Sequence, residues 1–513
     1  MATMADNMMH MPRKMREGRW VDPSLFCHDL PTVPDPSIGL ILVTGASGYI
    51  GGRLVPELIA RGYRVRVMVR GRSPEYARRW PEAEIAVADA LEPESLSRAL
   101  QGVGVAYYLI HSMLLGPGQF AAVDIEAAHN FRVAAEQAGV KRIIYLGGLG
   151  DVHGRLSQHL KSRAEVAEEL KRGNVSITVL RAAIIIGSGS ASYEIIKHLV
   201  SRLPVIPVPA AIRSRCQPIA VRDVIKYLVG VVEKPETAGR SFDIGGGEIY
   251  TYEEMMKTVA EVLQLKRLFI HTRFLNIRAY AYLASLLTPV PSHITRCLME
   301  GLRNDVVCEG SAIRKIVPFE TVGYREAIVR ALSREEQDRV HTRWSDAYPP
   351  AHALALKLEE LVGGARFTAE YSLTTTKRAA DLFQSICRVG GKDGWFHQNW
   401  MWRMRGMVDR LMLGVGTSRG RRQAEGLAMH DVVGFWRVED VTENRRLLLR
   451  AEMRLPGKAW LEFRIADRDE DRLLTVVTHY DTASVAGKVY WYIFLPFHNF
   501  IFKGLLRQIE QRS

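Results

Sequence analysis

A chain of 513 residues with 47% hydrophobic and 24% charged residues has the balance of a folded protein of two or three domains, which excludes a disordered or fibrous class. The formal charge of +13 suits anionic partners such as phosphorylated cofactors or lipid headgroups. No Lys/Arg block reaches five residues, however, so a scattered basic surface is the simpler reading and nucleic acid is not an expected partner.

Residues 1–37 read as an irregular arm, ended by Pro31, Pro34 and Pro36 just before the first strand. They lack the apolar h-region of a secretory signal, so a cytoplasmic location is expected. The five cysteines (Cys27, Cys216, Cys297, Cys308, Cys387) lack metal-ligand spacing and read as thiols of a reducing compartment, with no metal site.

From residue 38 to 345, short apolar runs alternate with amphipathic segments, the pattern of βα units on a parallel sheet. Strands are predicted at 40–44, 64–69, 84–88, 105–110, 142–146 and 176–180, followed by a small, partly helical substrate lobe. A linker at 346–364 carries Pro349-Pro350 and Gly363-Gly364. In 365–513, the segments 446–454, 459–465 and 473–480 alternate like half-buried antiparallel strands, and 485–510 reads as a closing helix. The expected fold is therefore α/β: a doubly wound parallel Rossmann sheet with a substrate lobe, then an α+β START-like (helix-grip) domain.

The sharpest motif is Thr44-Gly45-Ala46-Ser47-Gly48-Tyr49-Ile50-Gly51, between a strand and a helix. Gly45 permits the tight turn, Gly48 lets the backbone N–H groups around Ser47, Tyr49 and Ile50 approach a pyrophosphate, and Gly51 lets helix and sheet pack closely. The second strand ends at Arg70-Gly71-Arg72, with cations for a 2′-phosphate and no carboxylate for a free ribose hydroxyl. NADP(H) is thus expected over NAD(H). Asp89-Ala90, after the third strand, falls where an acid can meet the adenine.

Through TGASGYIGG (44–52), MVRGR (68–72), ADALEPESL (88–96), YYLIHSM (107–113), IIYLGGLG (143–150), LRAAIIIGSGSAS (180–192) and QPIAVRDV (217–224), the chain resembles the atypical and extended short-chain dehydrogenase/reductases. The resemblance is strong over 38–260 and extends less distinctly to 345. The whole chain is similar to bacterial two-domain members with a C-terminal domain of unknown function, matched here by 449–465 and 487–506. The resemblance implies a cofactor across the strand ends, with Leu109, Ile110 and His111 beside the ribose and Arg181 near the nicotinamide.

Typical members use Tyr-x-x-x-Lys after strand five, with a Ser at that strand's end. Here strand five ends in Gly147-Gly148, and His159 and Arg163 occupy the Tyr and Lys spacing. A histidine can donate a proton near neutral pH, and an arginine can anchor a ribose while favouring the neutral imidazole. Equally, His159 is a surface residue and Arg163 only a clamp. His111 is the other catalytic candidate, at the mouth of strand four, where it also reads as a packing residue. The literal Tyr193-x-x-x-Lys197 follows strand six and reads as a chance match, and Asp223 reads as a loop-holding acid.

These readings lead to an NADPH-dependent oxidoreductase delivering hydride to a carbonyl, enone or quinone of a hydrophobic small molecule. The alternative is a non-catalytic NADP(H)-sensing regulator or assembly factor. No run of about 18 apolar residues spans a membrane. The aromatic stretch 490–502, broken by Pro496, His498 and Asn499, suits peripheral contact with an inner membrane face or, more ordinarily, the buried side of the closing helix.

Overall fold

The computed structural model describes residues 26–71, 74–111, 120–150, 157–209, 214–272, 276–310, 312–336, 342–346, 358, 361, 364–390, 394–412, 414–416, 426–468 and 471–513. Most of the N-terminal arm, Arg72 and most of the 346–364 linker lie outside them. The chain divides into two units, one of residues 1–287 and 293–351, the other of 288–292 and 352–513.

The first unit is built on seven parallel strands. Six are β1 (Leu40–Val43), β2 (Arg64–Val69), β3 (Glu84–Val87), β4 (Val103–Tyr108), β5 (Arg142–Gly148) and β6 (Ser176–Ala182). The seventh, Ser241–Ile244, pairs with β6 at the sheet edge and was not read from the sequence. The order across the sheet is Ser241–Ile244, β6, β5, β4, β1, β2, β3. Both sheet faces are covered, so the inner strands are apolar throughout rather than alternating. In β1, Ile41 and Val43 pack with Leu54 and Leu58 of the Gly51–Ala60 helix and with Val224 and Leu228. Leu40 and Leu42 pack on the opposite face with Phe131, Leu170 and Ile143.

Because β1 lies between β4 and β2, successive crossovers leave it in opposite directions. A crevice opens at the carboxyl ends of β1 and β4, the position where doubly wound sheets collect ligands. The glycine motif and the Leu109–His111 segment both emerge there. The lobe above is made of the parallel pairs Ile185–Ile186 with Ile219–Ala220 and Val205–Pro209 with Leu268–Thr272, and of helices including Ala191–Arg202, Tyr252–Val262 and Ile277–Leu287.

The second unit is a six-stranded antiparallel sheet in the order Phe367–Thr375, Asp471–Asp481, Lys458–Arg468, Arg446–Ala451, Trp436–Thr442, Val432–Val433. Period-two alternation gives it two unlike faces. Leu461, Phe463, Leu449 and Leu474 share a core with Phe502, Leu505 and Ile509 of the C-terminal helix Val485–Gln511. On the other face, Glu462 is 1% exposed and held by Arg446, Arg464 and His479. Burial alone would raise its carboxyl, but the hydrogen bonds from His479 and Arg464 and the charge of Arg446 outweigh it and bring the group down to about 2. No helix among the described residues is long and apolar enough to cross a membrane.

Candidate functional site

The glycine motif is shaped by two contacts that forbid a side chain. Gly45 has φ +60°, and a Cβ there would lie 2.7 Å from the Leu109 carbonyl oxygen. A Cβ on Gly51 would collide with the Gly45 carbonyl oxygen, so the helix reaches the strand only without one. The Gly48 N–H donates to the Gly45 carbonyl at 2.9 Å and closes the turn. The N–H groups of Ser47 and Ile50 at the helix start have no acceptor among the described residues, which is the donor set a pyrophosphate requires.

Thr44 registers this loop against the next strand. Its hydroxyl accepts the Leu109 N–H at 2.9 Å and donates to the Tyr107 carbonyl at 3.0 Å. Leu109 and Ile110 follow the end of β4 rather than lying within it, and they bring His111 to the crevice. Arg53, 6% exposed, ties the loop to its surroundings. It donates to the carbonyls of Tyr49 and Thr342, both at 3.2 Å, and of Ser188 at 3.0 Å. Thr342 returns a hydroxyl bond to the Tyr49 carbonyl at 2.8 Å. Neither Thr44 nor Arg53 stood out as a site residue in the sequence, because apart from the Arg53–Tyr49 bond their partners lie 63 to 289 positions away.

A cavity of about 300 Å³ extends from the glycine loop into the lobe. Its lining combines Tyr49, Ile50 and His111 from beside the glycine loop, Gly147, Gly148, His159 and Arg163 from β5 and the helix that follows, and the apolar Ile195, Ile196, Leu199, Met256, Met299 and Leu302 of the lobe. His159 and Arg163, one turn apart on the Gln158–Lys171 helix, therefore face the same space as His111. The two imidazole rings lie 5.2 Å apart. His111 Nδ1 meets the buried Asp124 carboxylate at 3.4 Å, which selects the tautomer with its proton on Nδ1. His111 Nε2 and His159 Nδ1 are buried without hydrogen-bond partners among the described residues. Such orphaned polar atoms in a cavity suit a ligand.

Loss of hydration, then the Arg163 charge, pushes His111 down to about 4 against the pull of Asp124. Burial, His111 and Arg163 press His159 well below the usual imidazole range. Both rings are thus neutral at pH 7, so the reading of a histidine protonated near neutrality is replaced by a neutral imidazole acting through its N–H or its lone pair. Arg163 is anchored by donating to the Leu146 carbonyl at 3.2 Å. A Cβ at Gly148 would lie 2.9 Å from Leu160 Cδ2, so the side chain customary at the end of strand five would be crowded by the helix.

Other sequence candidates fall elsewhere. Arg181 does not line this cavity. Alternation along β6 turns it away from Ala182, to pair with Asp243 at 2.6 Å. Asp89 uses Oδ1 to accept the Leu91 N–H at 3.0 Å, and Ala90 offers its carbonyl to Asn130 at 3.1 Å. Arg70 directly follows β2. Tyr193 is buried and absent from the cavity wall, with Lys197 5.2 Å from its ring centre. Asp223 accepts the Val322 N–H at 2.8 Å and so holds a loop.

Residues 38–271 match the NmrA-like family, and residues 361–505 match a protein family of unknown function, DUF2867. Over 231 residues the chain is 29% identical to the ceramide reductase of Caulobacter vibrioides, covering 44% of this chain and 72% of that protein. It is 23% identical to the Photosystem II assembly factor Ycf39 of Trieres chinensis over 42% of this chain and 66% of that one. The solved triphenylmethane reductase of Citrobacter sp. aligns with 57% of this chain and 99% of its own, at 19% identity and a TM-score of 0.47. Over residues 38–271 the chain is thus similar to the NmrA-like family, of the NAD(P)-binding atypical short-chain dehydrogenase/reductase type, and over 361–505 to a family of unknown function.

Proposed function

We propose that this protein is an NADPH-dependent reductase of a hydrophobic carbonyl compound, with lipid-like ketones, enones and quinones as the substrate class. The observation that carries this reading is one cavity joining a dinucleotide loop, two neutral imidazoles and an apolar end. The likeness to a protein named ceramide reductase supports a lipid-like substrate. The backbone of Gly45, Ser47, Gly48, Tyr49 and Ile50 would hold the pyrophosphate. Arg70 and Arg72 would hold the 2′-phosphate, Asp89 and Ala90 would border the adenine, and Leu109, Ile110 and Arg163 the nicotinamide ribose. NADPH, when bound, supplies the hydride.

The chain's own task is to polarise the acceptor oxygen and keep water away. His159 donates a neutral N–H to that oxygen, a role an imidazole performs without ionising. His111, oriented by Asp124, presents Nε2 as an acceptor for a hydroxyl or a bridging water. Ile195, Ile196, Leu199 and Met256 receive the apolar body and dry the site.

The test is NADPH consumption by the purified chain against a panel of long-chain ketones, enones and quinones. His159→Phe is expected to lower kcat by about 100-fold or more with little change in NADPH affinity, and His159→Gln, which keeps an N–H donor, to recover part of the loss. A second reading, a non-catalytic NADP(H)-sensing assembly factor, is favoured by the hydroxyl-free Gly147-Gly148 and by the likeness to Ycf39. Tight NADPH binding without turnover on any acceptor would establish it instead.

A further inference from the structure

Thirteen of the 23 exposed large apolar side chains among the described residues lie on two segments of the second unit, 400–412 and 485–500, where they are 36 to 76% exposed. Scattered exposed apolar residues need no explanation, but concentration of this kind marks an interaction surface. On Val485–Gln511 the outward stripe runs from Val489 through Tyr492 and Ile493 to Phe497 and Phe500, at helical spacing. On Asn399–Leu411 it runs from Trp400 through Met404 and Met407 to Leu411. The two helices adjoin: the His397 and Phe500 rings are 5.4 Å apart, and those of Trp402 and Phe502 are 6.4 Å apart.

The core of this unit takes Phe502, Leu505 and Ile509 from the C-terminal helix, with Trp402 of Asn399–Leu411 packed against it, and none of the outward stripe. The C-terminal helix thus carries its apolar side chains outward mainly over 489–500 and inward mainly over 502–509, with Trp491 also buried. Its outer stripe lies outside the core and is open for binding.

Charge identifies the occupant. Within 394–412 and 484–509 the only carboxylate is Asp409, which is buried and accepts the N–H groups of Gly416 and Arg454. Arg403, Lys488 and Lys503 are exposed on the same segments with no ion-pair partner among the described residues. A second copy of the chain meeting this face about a two-fold axis would set cations against cations. An anionic bilayer would neutralise them while burying Trp400, Tyr492 and the phenylalanines at the headgroup boundary. No helix among the described residues is long and apolar enough to cross a membrane, so the contact proposed is interfacial. We infer that these two helices together form a peripheral membrane-docking face selective for anionic lipid.

The experiment is flotation of the full-length protein with phosphatidylcholine vesicles, with and without phosphatidylglycerol. The expected result is co-flotation only with phosphatidylglycerol, weakened by salt. Arg403→Gln or Lys488→Gln should each lower the partition by about fivefold. Phe497→Ser should lower it by about tenfold or more, with thermal unfolding unchanged. Quenching of tryptophan emission by lipids brominated on their acyl chains should appear in the native chain and fade with Phe497→Ser. Protein that stays unbound with phosphatidylglycerol at low salt would overturn the inference. So would a soluble dimer that Phe497→Ser dissociates without any vesicle binding, which would assign the face to a second copy.

Discussion

The two units bury their sheets by opposite strategies. In the first, both faces of a parallel sheet are covered by helices, and what remains for function is the edge where strands end. There the chemistry is built from short motifs at the mouths of β1, β4 and β5. In the second, an antiparallel sheet has one apolar face under a helix and one charged face ordered by ion pairs. Its most unusual surface is the outside of the helices that close it. Function written at strand ends travels with local sequence, whereas function written on a helix exterior depends on which side the core has claimed.

The sharpest way to break this contrast is Phe463→Ala. The side chain is fully buried in the second unit, so its loss should destabilise that unit by about 3–5 kcal/mol, seen as one unfolding transition moving alone while NADPH affinity stays constant. If affinity falls in parallel, the two units do not divide the work as described. Next in size is Arg53→Ala, which strands three carbonyls around the glycine loop. A cost of about 3 kcal/mol, together with weakened NADPH binding by calorimetry, is expected, with the second unit's melting unaltered.

Acid should act on both units. Burial brings His111, His198 and His498 down to about 4, below the value of about 6.5 in an unfolded chain. Between these values the unfolded state binds more protons, so stability falls as pH drops from about 6.5 toward 4. Asp223, raised to about 6 by burial, and Glu57, raised by burial, work the other way, against these three histidines and the likewise depressed His159. A thermal midpoint that is flat over this window would contradict the neutral imidazoles. The smallest effect is expected from Tyr193→Phe, which should leave turnover near the native rate because that ring does not reach the cavity.

Much of the sheet was legible from sequence because its strands are continuous apolar runs punctuated by glycines. The predicted 64–69 strand has the observed limits, four others differ by one or two residues at one end, and 105–110 is shifted by two at both. The strand Phe367–Thr375 was missed despite its regular alternation, whereas two other missed strands had weaker signals. Ser241–Ile244 is a four-residue edge strand, and Trp436–Thr442 carries a register shift at Val438/Asp440 that breaks its alternation. In the site, Gly45, Gly51, His111, His159 and Arg163 were readable from spacing. Arg53 and Asp124 were not, since their roles depend on carbonyls and an imidazole that only the tertiary fold supplies. Arg181, on the other side of β6, lines a neighbouring pocket with Gly147, Gly148 and Arg163. The aromatic stretch near the C-terminus was read as one face, whereas the helix divides it: Trp491 and Phe502 inward, Tyr492 and Phe497 outward.

The three-carbonyl clamp of Arg53 also bears on how the protein is made. Its bond to Thr342 joins residues 289 positions apart, so a nascent chain has its first crossover outside the ribosome long before the segment that finishes the nucleotide loop is translated. The loop must wait, half-tied, through synthesis of the entire lobe. Nascent chains arrested just before Thr342 should therefore retain NADPH poorly, and those released a few dozen codons later should retain it well.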